Sequence, residues 1–142
     1  MRKNIVLLLV TTIILSVSCK DDGEKASQMQ QVMAIHDEVM PKMGTLGKLV
    51  AELKGKKDTT ATGLKYAEAM SDLQQSHTSM MAWMQGFGTR FSSDEIMNGK
   101  ALTEEKQKWL DEEEVKVKAL RDQINTSISK AEKLLAQDKQ SK

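Results

Sequence analysis

From Met29 to Leu135 the apolar residues fall at alternating intervals of three and four, and no segment of the chain reads as a strand. That spacing commits the chain to amphipathic helices. Met29, Val32, His36, Val39, Met43, Leu46, Val50 and Leu53 mark the seam of a first helix, with Ser27 as its expected N-cap and Gly55 as its stop. Pro41 lies inside this helix and lacks the amide that would bond the carbonyl of Asp37, so a kink is expected one turn beyond His36. After a polar turn over residues 54–62, Tyr66, Met70, Leu73, His77, Met80, Met84 and Phe87 repeat the spacing in a second helix, which Gly86-Phe87-Gly88 is expected to end. A longer connection over 89–101 carries Ser92 and Glu95 at capping-box spacing, a signature of one short extra turn. A third helix is expected from near Thr103 to about Gln137, with Leu110, Val117, Leu120, Ile124, Ile128, Ala131 and Leu134 or Leu135 facing inward. The expected fold is all-α, an antiparallel three-helix bundle over 28–138 with a disordered tail at 139–142.

The N-terminus has a different grammar. Arg2 and Lys3 precede an apolar run from Ile5 to Leu15, interrupted only by Thr11-Thr12, and Ser16-Val17-Ser18 then leads into Cys19, the chain's single cysteine. This is the layout of a bacterial lipoprotein signal peptide over residues 1–18, whose cleavage leaves Cys19 as the acylated N-terminus. The apolar run is roughly a dozen residues, short of the about 20 that a spanning helix needs. Ser16 stands where such signals usually carry Leu, with Leu15 one position further back. Residues 20–27 are polar and are expected to form a flexible tether, so that 19–27 joins lipid to domain.

Cys19-Lys20-Asp21-Asp22 resembles the start of Bacteroidetes lipoproteins, in which a lysine and acidic residues after the acylated cysteine accompany display on the outer leaflet. Asp58-Thr59-Thr60 resembles the Asp-Ser/Thr-small O-glycosylation motif of the same group, which would place a sugar on Thr59. With Met33 to Met43, Met-Ala-Ile-His-Asp-Glu-Val-Met-Pro-Lys-Met, the chain resembles small helical lipoproteins of flavobacteria. Some of these carry the label "viral A-type inclusion protein", which describes coiled-coil-like sequence and lends no mechanism. The resemblance implies anchoring to the outer membrane through the N-terminal lipid, and its lysine-acidic start implies exposure at the cell surface.

Charge and residue inventory exclude several functions. Taking Arg2 and Lys3 from the 21 basic residues leaves 19 against 20 acidic ones, a net charge of −1 with no basic patch for nucleic acid. With Cys19 committed to lipid, no disulfide forms within the chain and stability must come from packing. There is no Gly-rich phosphate loop, no Ser-His-Asp order and no nucleophilic cysteine, so a non-enzymatic module without a cofactor is expected, its protein partner unspecified. Trp83 and Trp109 read as buried anchors near helix ends, and the Asp111-Glu112-Glu113-Glu114 run as a solvated face supported by Glu112/Lys116 and Glu114/Lys118.

Register defines the candidate site. A first turn centred near Lys56 and Lys57 makes facing residues sum to about 113, which sets His36 against His77, Met43 against Met70, Met29 against Met84 and Met33 against Met80. A second connection centred near residue 95 brings Glu113 to the same level. The resulting cluster is His36, His77 and Glu113, bracketed by Met33, Met40, Met80, Met81 and Met84. One reading is a buried hydrogen-bonded layer that fixes register, with methionine as adaptable filler. The other is a metal site: two His with Glu would suit Zn with an open position, and two His with Met would suit copper, thioether sulfur favouring Cu(I). Every methionine after Met1 lies between Met29 and Met97, with none in the third helix.

Overall fold

The computed structural model describes the backbone of residues 21–140 and the side chains of 28–139, so the signal peptide, Cys19, Lys20 and the side chains of Asp21 and Asp22 lie outside the described residues. The described chain is all-α, with α1 at Asp21–Val39, α2 at Lys42–Lys54, α3 at Ala61–Arg90, α4 at Ser93–Met97 and α5 at Glu104–Gln140. None of these helices is long and apolar enough to cross a membrane.

The expected kink is a full interruption. Met40 donates its amide to the His36 carbonyl at 3.0 Å and Met43 donates to Met40 at 3.1 Å, and Pro41, at φ −60 and ψ −24, opens a new helix with no amide to give. Three further boundaries differ from expectation. Helix α1 begins at Asp21 and runs through Ser27, because the stretch expected as tether holds no proline and only Gly23 as a strong helix breaker. Helix α3 continues through Gly86 and Gly88 to Arg90. The cause is an aromatic ladder at spacing four: Trp83 and Phe87 rings stack at 4.9 Å, and Phe87 and Phe91 lie at 4.8 Å. Each helical glycine costs about 1 kcal/mol, whereas burying an aromatic side chain returns about 1.5–3 kcal/mol. Packing therefore overrides the local stop. At the far end α5 reaches Gln140, so residues 139 and 140 belong to a helix rather than to a disordered tail.

Side-chain pairs set the directions. Lys42 donates to Asn125, Lys56 to Asp138 and Gln107 to Gln28, a nearly constant offset of about 80 positions that makes α5 run parallel to α1 and α2. Arg90 reaches Glu112 and Glu113 while Lys130 reaches Asp72 and Glu68, so α3 runs antiparallel to α5. Helix α1 packs chiefly on α5, and α2 packs against both α3 and α5. The core accordingly has two parts. One gathers Val32, Val39, Met80, Phe87, Leu110, Val117 and Ile124; the other gathers Leu46, Leu53, Tyr66, Leu73, Ala131 and Leu135, and Met43 and Ile128 touch both.

The connection between α2 and α3 explains the register. Thr60 caps α3, its hydroxyl accepting from the Gly63 amide at 3.0 Å, while Asp58 folds back to accept from the Thr60 amide at 2.8 Å. Asp58 therefore lies against the first turn of α3, and a Cβ on Gly63 would come within 2.5 Å of the Asp58 backbone nitrogen. Chain spent beside α3 does not advance the partner helix, so His36 meets Met84 and facing numbers sum to 120.

Helix α4 clips the second connection. Ser92 and Glu95 form the expected reciprocal capping box, and Lys106 at the start of α5 donates to Glu95 at 2.7 Å. Burial pushes the Glu95 carboxyl up, but Lys106 together with the Ser92 amide and hydroxyl outweighs it and holds the group below the usual range.

Three outcomes are expected. Gly63→Ala will destabilise the fold by about 1–3 kcal/mol through overpacking, whereas Gly47→Ala, where nothing lies within 4 Å, will stabilise it by up to about 1 kcal/mol, both read from urea unfolding. Because Glu95 has a lowered folded-state pKa, its contribution is present above the unfolded value and lost as pH falls through the folded one. Stability measured from neutral pH into the acid range will fall less steeply in Glu95→Gln than in the wild type.

Candidate functional site

The structure separates the expected cluster. On α3 the buried positions are Gly63, Tyr66, Ala69, Leu73, Ser76, Met80, Trp83 and Phe87, so His77 is exposed and Ser76 takes the inward place. Tyr66, Leu73, Met80 and Phe87 were common to both phasings; Ala69, Ser76 and Trp83 replace Met70, His77 and Met84 between them. The pairing of His36 with His77 is therefore overturned. His77 lies seven residues before Met84, roughly 10 Å along the helix axis from the level of His36.

Ser76 supplies the polar layer instead. Its hydroxyl lies 3.0 Å from that of Ser127 and 2.9 Å from the Asp72 carbonyl, and Ser127 reaches the Ile124 carbonyl at 3.0 Å. The pair stands between the two parts of the core.

Glu113 is buried on the inward face of α5, as its spacing indicated, but at a different level. It accepts from Arg90 Nη1 and Lys116 Nζ, each at 2.9 Å, and lies opposite the end of α3 rather than beside His77. Arg90 also bonds Glu112 at 2.8 Å and sits 5.5 Å from the centre of the Trp109 ring. These contacts hold the Arg90 guanidinium above, and the Glu112 carboxyl below, their ordinary values, the hydrogen bond between them being the main cause in each case. A groove of about 510 Å³ opens beside this ion pair between α3 and α5, made by the small side chains of Ser79, Ala82 and Ala119 and by Gly86. Trp83 lines it, and its buried indole Nε1 has no hydrogen-bond partner among the described residues.

What remains around His36 is a contact with thioether sulfur. In the last turn of α1, His36 places Nδ1 2.8 Å from Asp37 Oδ1 and Nε2 3.4 Å from Met84 Sδ, with the Trp83 ring centred 5.9 Å away. Met33 and Met40 stand one turn before and after His36, and all three methionines pack partly buried on the first part of the core. Met80, one turn before Met84, is fully buried, and Met81 is 46% exposed and points away from the set. Sequence reasoning found His36, Met33, Met40, Met80 and Met84 but missed Ser76, Ser127 and Arg90. A two-residue serine layer carries no pattern of its own, and Arg90 was hidden by the expected stop at Gly86. Thr59 is exposed in the connection before α3, where its neighbours Asp58 and Thr60 bond each other.

No family model, curated protein or solved structure matches the chain.

The serine layer is expected to be energetically cheap to replace, because removing both partners of a hydrogen bond is nearly neutral whereas orphaning one is not. Ser76→Ala with Ser127→Ala will stay within about 1 kcal/mol of the wild type in urea unfolding. His77→Ala, on the exposed face, will stay within about 0.5 kcal/mol.

Proposed function

We propose that this chain is a lipid-anchored protein of the bacterial envelope, held to the outer membrane through Cys19 and acting as a non-enzymatic helical binding or structural module. The sequence from Arg2 to Cys19 carries the reading: a basic start, a short apolar run and a single cysteine behind small residues serve export, cleavage and acylation in turn. Lys20, Asp21 and Asp22 extend it to display at the surface, through their resemblance to the lipoprotein export signal.

The domain is read as an antiparallel three-helix bundle whose first rod is broken into α1 and α2. The parallel offset of α1 and α2 to α5 and the antiparallel pairing of α3 with α5 support it. A binding or scaffolding role is supported by how the acidic groups are used. Glu113 is held by Arg90 and Lys116, Glu95 by Lys106, and Glu114 by Lys118 and Gln28, so these carboxylates serve packing and register rather than proton transfer.

Radiolabelled palmitate fed to expressing cells tests the anchor. Wild-type protein should take up label and partition with membranes, whereas Cys19→Ser should take up none and remain uncleaved. Equal labelling of the two forms rejects the lipoprotein reading.

A further inference from the structure

We infer that His36 and Met84 form the core of a binding site for a soft monovalent d10 cation, Cu(I), on the helical packing alone and independently of lipid anchoring. The argument begins with the proton on His36. Asp37 Oδ1, 2.8 Å from Nδ1, belongs to a carboxylate and can only accept, so Nδ1 carries the hydrogen and donates it. In the neutral ring Nε2 then presents a lone pair, and it presents it to Met84 Sδ at 3.4 Å. A thioether sulfur has no hydrogen to give. In the neutral ring two electron-pair donors thus face each other, whereas in the imidazolium Nε2–H donates to the sulfur, a weak acceptor; a soft cation that accepts from both donors takes the place of that proton.

Softness selects the cation. Bonds of about 2.0 Å to nitrogen and about 2.3 Å to sulfur, the lengths zinc makes to imidazole and thiolate, separate two donors by about 3.5 Å at a tetrahedral angle, so the spacing admits a small d10 cation without favouring one over another. Zinc takes thiolate, imidazole and carboxylate, whereas thioether sulfur with imidazole suits Cu(I). Asp37 bonding the far ring nitrogen is the arrangement by which carboxylates orient metal-binding imidazoles and raise their basicity. Met33 and Met40 flank His36, and Met80 flanks Met84, so further thioethers stand one turn away on both helices. The His36 side chain is 18% exposed, which leaves an entry path from solvent.

Silver(I), a redox-inert probe of the same chemistry, tests the site in the full chain purified in detergent with Cys19→Ser, so that the only thiol cannot compete. One equivalent of Ag(I) should bind and shift the Met84 methyl and His36 ring resonances, while Zn(II) at the same concentration leaves both in place. Affinity should fall at least tenfold in His36→Gln and in Met84→Leu, a volume-conserving change whose helix content is checked by circular dichroism, and should be unchanged in His77→Gln. Cu(I) added under anaerobic competition with a chromogenic chelator should give the same order of variants. Absence of Ag(I) binding, equal binding in Met84→Leu, or an equal loss in His77→Gln overturns the assignment. Because the resonance shifts are read on unchanged His36 and Met84, they decide the matter even where a substituted chain folds poorly.

Discussion

The missing amide of Pro41 governs the arrangement of the first third of the domain. A helix that cannot bond the Asp37 carbonyl at that point must stop or bend, and here α1 stops at Val39 and α2 restarts at Lys42. Once divided, the two pieces take different neighbours, α1 lying chiefly on α5 and α2 on α3 and α5. The apolar core divides in the same way, with Met43 just after the break touching both parts. The break also leaves His36 in the last turn of α1, where its carbonyl receives the Met40 amide and its ring is directed at α3. A single residue without an N–H thus sets the direction of a helix, the division of the core and the placement of the one inward-facing imidazole.

Helix class was legible because the spacing of three and four is long and consistent, but the face of α3 was not. Tyr66, Leu73, Met80 and Phe87 repeat every seven residues, and the intervening seam position can fall three or four residues after each. Sequence weight favoured the larger or more distinctive member at two of the three choices, Met70 over Ala69 and His77 over Ser76. The structure takes the other phase, burying Ala69, Ser76 and Trp83. Trp83 decides it: its ring joins Phe87 and Phe91 in one stack, which holds the whole helix in rotation. Small residues at 69 and 76 then permit close approach of α3 to its neighbours, something that reads as weakness in a sequence and as fit in a packed structure.

Register failed for a related reason, since it depends on how chain is spent between helices. Counting from the centre of a turn assumes that both helices start level. Asp58 lies beside the first turn of α3, against Gly63, so α3 begins ahead of its partner and His36 falls opposite Met84. At the second connection, α3 outlasts its glycines and α4 is clamped to α5 by Glu95 and Lys106, which moves Glu113 to the level of Arg90. The capping box of Ser92 and Glu95 and the inward positions of α5 could be read locally. The offsets between helices could not, because they are fixed by contacts of residues far apart in sequence.

The charged residues sharpen the case of His36 by contrast. Glu95, Glu113, Glu114, Asp72 and Asp138 each face a lysine or arginine whose charged end reaches solvent, which screens the attraction. Their value lies in leaving half-buried carboxylates and cations matched, so that burial is tolerated rather than rewarded. The inner edge of the His36 ring is matched differently. Its outward nitrogen has a carboxylate, while its inward nitrogen meets sulfur, a partner that can neither donate a proton nor neutralise a charge well. A leucine in place of Met84 would fill similar volume without presenting lone pairs to the imidazole. Methionine at that contact fills the irregular space beside the core as flexible packing, and its sulfur also presents the soft lone pair on which the proposed Cu(I) site rests.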